Sequence, residues 1–354
     1  MEKDNQYSAN NRLLIVIMVT SVMLLFLINI LRNMTLPKID EDMLNNFYTI
    51  FISMILEGFP FIIIGSLIAS FIQSFISEEK IVKLIPKNRI VGLILAALVG
   101  LIFPVCDCAI IPITRRLIKK KIPIGMAIAF MVSVPIVNPI VIFSTYYAFY
   151  GKPYIVLARV LFGVISAVLI GYLIDILHTG NVLKYNIQIN SCRCGCSENH
   201  NHVHIDHKHK YNFLSEIIYH TSTETYSTGK LFIIGALISA FVQTYVPKRY
   251  ILSIGQGSLY SILVMLLLAY VLCICSQTDA FIARAFLGQF TVGSIIGFLI
   301  FGPMLDIKNT LMLTGTFNRK FTIKLIFLII AVCFIMAIVA NYAIPISLKF
   351  SGGF

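Results

Sequence analysis

Six apolar stretches, each close to or above the length that spans a bilayer, constrain this chain more than any other feature: residues 13–31, 47–76, 122–149, 154–177, 229–246 and 321–345. A helix needs about 20 apolar residues to cross the hydrocarbon core, and there a backbone must satisfy its own hydrogen bonds. The strands of a membrane barrel would alternate polar and apolar residues, which none of these runs does. The expected fold is an all-α polytopic membrane protein, multi-pass in the plasma membrane. Composition agrees, with 58% apolar residues, 12% charged residues and a mean hydropathy of +0.88. The first run does not read as a cleaved signal. It is long, follows Lys3 and Arg12, and lacks a small-residue cleavage site before Pro37.

A net charge of +12 would suit a nucleic-acid binder, but the basic residues crowd into short loops beside apolar helices and read as topology signals. The expected partner is the lipid bilayer, and nucleic acid is excluded. With a cytoplasmic N-terminus, Lys80, Lys83, Lys87, Arg89, Arg115, Arg116, Lys119, Lys120, Lys121, Arg319, Lys320 and Lys324 fall inside. The outer side receives the sparser set Arg32, Lys38, Lys152, Lys248, Arg249 and Lys349.

This assignment shapes the segments around two unusual motifs. Residues 103–112 read Phe-Pro-Val-Cys-Asp-Cys-Ala-Ile-Ile-Pro, and residues 273–279 read Cys-Ile-Cys-Ser-Gln-Thr-Asp. Segments 90–105 and 106–118 are each short for a span and have basic flanks, so a re-entrant hairpin with Cys-Asp-Cys at its tip satisfies both facts. Residues 258–288 form a second hairpin from the opposite side. The alternative, in which each arm spans fully, keeps the same parity. Residues 62–76 also align without gaps on 232–246, matching Gln73 with Gln243. Each half then holds three spanning helices and a hairpin, and the odd number of crossings gives two inverted-topology repeats with broken or re-entrant helices. The organisation is an N-terminal tail and anchor helix over 1–43, a first repeat over 44–178, a cytoplasmic linker over 179–228, a second repeat over 229–348 and a tail over 349–354.

The first tip carries the chemistry. Cys106 and Cys108 are too close for an unstrained disulfide, but two thiols can face one soft ion where the chain is extended, and Pro104 and Pro112 are expected to break the helix on either side. A carboxylate such as Asp107 costs about 2.5–3.5 kcal/mol at the centre of a membrane helix, and chains keep such groups mainly in functional cavities. Alone, either cysteine would read as a small core residue. The second tip offers Cys273, Cys275 and Asp279. Aligning the thiols sets Cys106 on Cys273 and Cys108 on Cys275, which leaves Asp107 and Asp279 non-equivalent. Downstream, Pro135, Asn138 and Pro139 break one helix, while Gly302, Pro303 and Asp306 break its counterpart. Asn138 either presents its amide to the cavity or satisfies carbonyls freed by Pro139. Glu57, before Gly58 and Pro60, is the expected proton-coupling carboxylate, with capping of a kink as its structural alternative. Arg159 and Asp175 are expected to snorkel from the ends of their helix, Gln73 and Gln243 to bond helix to helix, and Cys333 to be core.

The linker differs from everything around it. Cys192, Cys194 and Cys196 precede His200, His202, His204, His207 and His209. Thiolate and imidazole are the usual ligands of zinc and copper, but the spacing is not that of a closed zinc finger. Labile transition-metal binding without a folded domain is expected, and no tightly bound cofactor.

The motif at 103–112 followed by Arg115 and Arg116, Val-Pro-Ile-Val-Asn-Pro at 134–139 and Ser-Gln-Thr-Asp-Ala-Phe at 276–281 resemble the ArsP/YraQ-type permease family. The resemblance runs from about residue 45 to 345 and leaves the linker outside. It implies efflux of trivalent organoarsenicals held by thiols. The family's usual tip is Cys-Ser-Cys; Cys-Asp-Cys here is similar to the YcgR-like branch, and its acidic residue favours a cation over a neutral arsenous species. The resulting expectation is a permease for a thiophilic metal ion or organometalloid. Cys106, Cys108, Cys273 and Cys275 bind the cargo, and Asp107 and Asp279 supply charge compensation or proton coupling. No phosphate-binding Gly-x-x-x-x-Gly-Lys-Ser/Thr loop occurs, so energy comes from an ion gradient or a separate accessory protein. A non-transport metal-sensing scaffold is the alternative, although a scaffold needs no broken helices with buried aspartates. A membrane enzyme would need a base, and every histidine lies in the linker or near its edges.

Overall fold

The computed structural model describes residues 41–75, 86, 88–102, 105–178, 180–184, 213–245 and 258–351. The expected anchor helix at 13–31, Pro104, the Gln73 side chain and the Cys/His cluster of the linker lie outside the described residues. The chain divides into Met1–Asn46 and a compact body, Phe47–Phe354, to which the following description applies.

Helices joined by turns and short loops make up the described residues, among which the extended pairing is two isolated bridges. The first half runs α1 (Glu41–Phe75), α2 (Arg89–Leu98) with a 3-10 turn (Val99–Leu101), α3 (Asp107–Lys119), α4 (Ile124–Val137), α5 (Pro139–Ala148) and α6 (Pro153–Leu177). The second half repeats the order: α7 (Phe213–Tyr245), α8 (Ser258–Leu272), α9 (Asp279–Ala285), α10 (Val292–Met304), α11 (Ile307–Thr316) and α12 (Arg319–Ser351). Six stretches among the described residues are long and apolar enough to cross a membrane, three in each half, and α2 and α8 are shorter apolar arms. The span over α10 and α11 has no counterpart among the six apolar runs of the sequence.

Burial separates centre from periphery. The spans over α4–α5 and α10–α11 are 78% and 83% buried, whereas α1 is 22% buried. Helices apolar all round are expected to fill a core, and α4 and α10 pack on each other as well as on α6 and α12. The outer helices turn Leu56, Ile64, Leu157 and Ile323 outward, a surface suited to hydrocarbon.

Only some of the expected break residues interrupt a helix. Pro112, Pro135 and Pro303 all lie inside helices. The interruptions come just after the last two, at Asn138 and at Leu305–Asp306, where a polar side chain caps the next helix. Asn138 Oδ1 accepts from Ile140 N at 2.9 Å, and Asp306 Oδ1 accepts from Asn309 N at 2.6 Å. Such caps satisfy the N–H groups that a new helix exposes, which is why the chain restarts there. The linker is shorter than expected, because residues 213–228 form the first part of α7. Its hydroxyls bond back into the helix, as Thr223 does to Tyr219 O and Ser227 to Glu224 O, so a polar stretch can remain helical. On the other side of the linker, Lys184 N donates to Thr316 O at 3.2 Å and Asn318 N to Val182 O at 2.9 Å, fixing this strap to the α11–α12 turn.

Candidate functional site

The first tip is built at a helix start. Cys106 is extended (φ −82°, ψ 170°) and caps α3, so Asp107 and Cys108 are its first two residues. All three are buried, and one ligand atom from each lies within 4.8 Å of the others. Exposed N–H groups and the helix dipole favour negative charge at this position. The tip is held from two sides. Asn138 Nδ2 donates to Val105 O at 3.3 Å, and Asn309 Nδ2 approaches Asp107 Oδ2 at 3.5 Å from the other half. Gly65 admits α3: a Cβ there would lie 2.5 Å from Ala109 Cβ and 2.8 Å from its carbonyl oxygen.

In the second tip, residues 273–278 connect α8 to α9. Cys273 has a positive φ of 45°, its sulfur accepts from Ser239 Oγ at 3.0 Å, and Gln243 Nε2 donates to Leu272 O at 2.7 Å. Gln243 thus bonds helix to helix as the sequence suggested. Cys273 and Cys275 are buried, and Cys275 lies within electrostatic reach of Asp107, Glu57 and Cys106. The two tips therefore share one neighbourhood. Each is gripped by the other half, since α3 packs on α11 and α9 on α5.

Asp279 behaves differently from Asp107. Each opens the helix after its tip, a correspondence that aligning the thiols obscures. Arg159 takes both Asp279 oxygens, Nη1 to Oδ1 at 2.9 Å and Nη2 to Oδ2 at 2.7 Å. It also donates to Thr145 Oγ1 at 2.8 Å and Ser276 O at 3.2 Å. The expectation that Arg159 snorkels is overturned: it is 1% exposed, and four inward acceptors outweigh a route to the surface. Asp175 stays near its helix end, bonding Gly125 N at 2.6 Å and Arg89 Nε at 3.1 Å. Arg284 caps α5 through Ala148 O at 2.7 Å, and Ser144 Oγ donates to Gln277 O.

The other expected site residues divide. Asn138 lies against the first tip, but both ends of its amide bind backbone, at Val105 and Ile140. Glu57 is exposed on α1, in a helix that continues through Pro60. Cys333 is core, its sulfur 3.6 Å from Met304 Sδ. Sequence reading missed Lys308 and Asn309 beside the first tip. It also missed buried Glu224, whose carboxylate binds Arg115 at 3.4 Å and Arg116 at 2.9 Å, tying α3 to α7.

Two helical halves of matching element order, with broken central helices inside an apolar body, define a multi-pass membrane protein of the permease class. The family described as predicted permeases, ArsP_1, matches residues 43–342, and the chain belongs to it. It is 43% identical over 284 residues to UPF0718 protein YcgR of Bacillus subtilis (strain 168), covering 80% of this chain and 93% of that protein. It is 36% identical over 293 residues to a putative two-component membrane permease complex subunit of Streptococcus mutans, covering 82% and 94%. Over 130 residues it is 28% identical to UPF0718 protein MJ0584 of Methanocaldococcus jannaschii, covering 36% and 35%. No solved structure matches.

Proposed function

We propose that this permease carries a thiophilic metal ion or organometalloid through the site where its tips meet, the two halves acting as inverted repeats. The observation that carries the reading is the buried Cys106, Asp107 and Cys108 cluster at a helix start. Two soft sulfurs and one hard oxygen suit a soft or borderline cation, and thiols equally suit a trivalent arsenical. Cys273 and Cys275 complete the thiol set. Asp107 supplies charge compensation, while Asp279, bound to Arg159, acts through that pair. Glu57, within electrostatic reach of Cys275, is the proposed proton-coupling group. Asn138 borders the cargo through its hold on Val105. Labile metal binding by the linker's Cys192, Cys194, Cys196 and five histidines raises local cargo concentration at the cytoplasmic side. The name of the Streptococcus mutans relative supports a second subunit as accessory partner.

The test is flux of Cd2+, Zn2+ and phenylarsine oxide in proteoliposomes. Cys106→Ser and Cys108→Ser should each abolish flux of any cargo that the wild type moves, at unchanged membrane levels. Wild-type flux in the double variant would reject the thiol site.

A further inference from the structure

Lys308 is a buried cation in the wall of the thiol site. It is the second residue of α11, just beyond the break at Leu305–Asp306, and only 5% exposed. Its ammonium lies 3.5 Å from Asp306 Oδ2, yet that oxygen accepts no hydrogen bond. The pair is loose beside the bidentate Arg159–Asp279 pair. Lys308 is also within electrostatic reach of Cys108, Asp107 and Cys273.

Charge balance sharpens the point. Asp107, Asp279 and Asp306 are buried here with Arg159 and Lys308, so three carboxylates face two cations. Asp107 makes no ion pair among the described residues. Its polar neighbour is Asn309 Nδ2 at 3.5 Å, and Asn309 Oδ1 is buried without a hydrogen-bond partner. A buried carboxylate with no compensating charge is strongly unfavourable. The surroundings of Asp107 are therefore built for a cation they do not fully supply.

We propose that Lys308 is a tethered counter-ion of the thiol site: it partly neutralises Asp107 when no cargo is bound, competes with cationic cargo and so sets the discrimination between charged and neutral thiophiles. The proposal rests on the thiophilic-cargo reading and deepens it. A divalent cation held by Cys106, Asp107 and Cys108 displaces one thiol proton to solvent, one cysteine binding as thiolate and the other as neutral thiol, so the site gains one positive charge and the ion takes over the neutralisation of Asp107. Lys308 then closes on the free oxygen of Asp306. Phenylarsine oxide forms two As–S bonds while its oxygen leaves as water with both thiol protons. It brings no net charge and gains nothing when Lys308 is removed.

Binding of Cd2+ and of phenylarsine oxide to the purified full-length chain tests this, with the linker's Cys192, Cys194, Cys196 and five histidines replaced by Ser throughout. Lys308→Met removes the competitor but strands Asp306, so Asp306→Asn/Lys308→Met is compared as well, which removes the pair together. Both variants should bind Cd2+ about tenfold more tightly, equivalent to about 1.4 kcal/mol, and phenylarsine oxide as the unsubstituted site does. Unchanged or weaker Cd2+ binding in the double variant, or equal shifts for both ligands, would overturn the counter-ion role. Cys106→Ser/Cys108→Ser, measured alongside, should lose both ligands. If it binds both normally, the thiol site itself fails and the counter-ion with it.

Discussion

Replacing Arg159 with Met should destabilise the protein more than any other single loss of a polar contact described here. Arg159 and Asp279 have side chains only 1% and 3% exposed, and the guanidinium also holds Thr145 and the Ser276 carbonyl. Removing one partner of such a pair costs about 3–5 kcal/mol, because the other charge stays buried without compensation. That is a large fraction of the roughly 5–15 kcal/mol that holds a domain folded. With about 1–2 °C lost per kcal/mol in a chain of 354 residues, the apparent melting temperature should fall by about 5 °C. The assay is the fraction of purified protein that stays monodisperse in detergent after heating. Arg159→Met and Asp279→Leu should each show the fall, and the double variant should recover most of it, since it buries no lone charge. If either single variant loses only about 2 °C, or the double is no better than the worse single, the pair does not hold the second tip as argued.

Other perturbations separate scaffold from site. Gly65→Val should push α3 away from α1, because even a Cβ would overlap Ala109; flux should drop while every cysteine remains, and wild-type flux would show that this close approach is unnecessary. Asn138→Ala removes the cap of α5 and the bond to Val105, so it should cost about 1 kcal/mol or more of stability, read as a lower melting temperature. Asp107→Asn should weaken Cd2+ flux at every concentration and spare phenylarsine oxide. Deleting 200–209 should instead raise the Cd2+ concentration needed for half-maximal flux and leave the maximum intact, and loss of flux at saturation would assign the pathway to the linker.

The membrane class, five of the six described spans and the two polar tips were legible in the sequence, because bilayer-length apolar runs and their interruptions are local signals. The two downstream breaks were legible as well, though not which of the named residues makes each one. Proline marks where a helix loses one hydrogen bond, but a cap decides where the next helix starts, so of the expected break residues Asn138 and Asp306 mark the restarts while Pro135 and Pro303 lie inside helices. Charge pairing was the least legible part. Arg159 meets Asp279 across 120 positions, and only the assembled body brings α6 against the second tip. Its place six residues into an apolar helix fitted a snorkelling residue as well as a buried one. Lys308 passed unnoticed for a related reason: it follows a break, where a charge reads as a loop residue until packing closes around it. The polar stretch at 213–228 read as linker because hydroxyl-to-backbone bonds within a helix leave no apolar period.

The central claim is that thiols from both halves hold one cargo. X-ray absorption at the arsenic edge of the purified, arsenite-loaded protein tests it most directly, because arsenite can take three thiolates where phenylarsine oxide takes two, with the three linker cysteines replaced by Ser. Arsenic should be bound by sulfur in the otherwise intact site, and sulfur coordination should fall both in Cys106→Ser, from the first half, and in Cys275→Ser, from the second. Coordination that falls with Cys106→Ser and is indifferent to Cys275→Ser would contradict a site shared by the two halves.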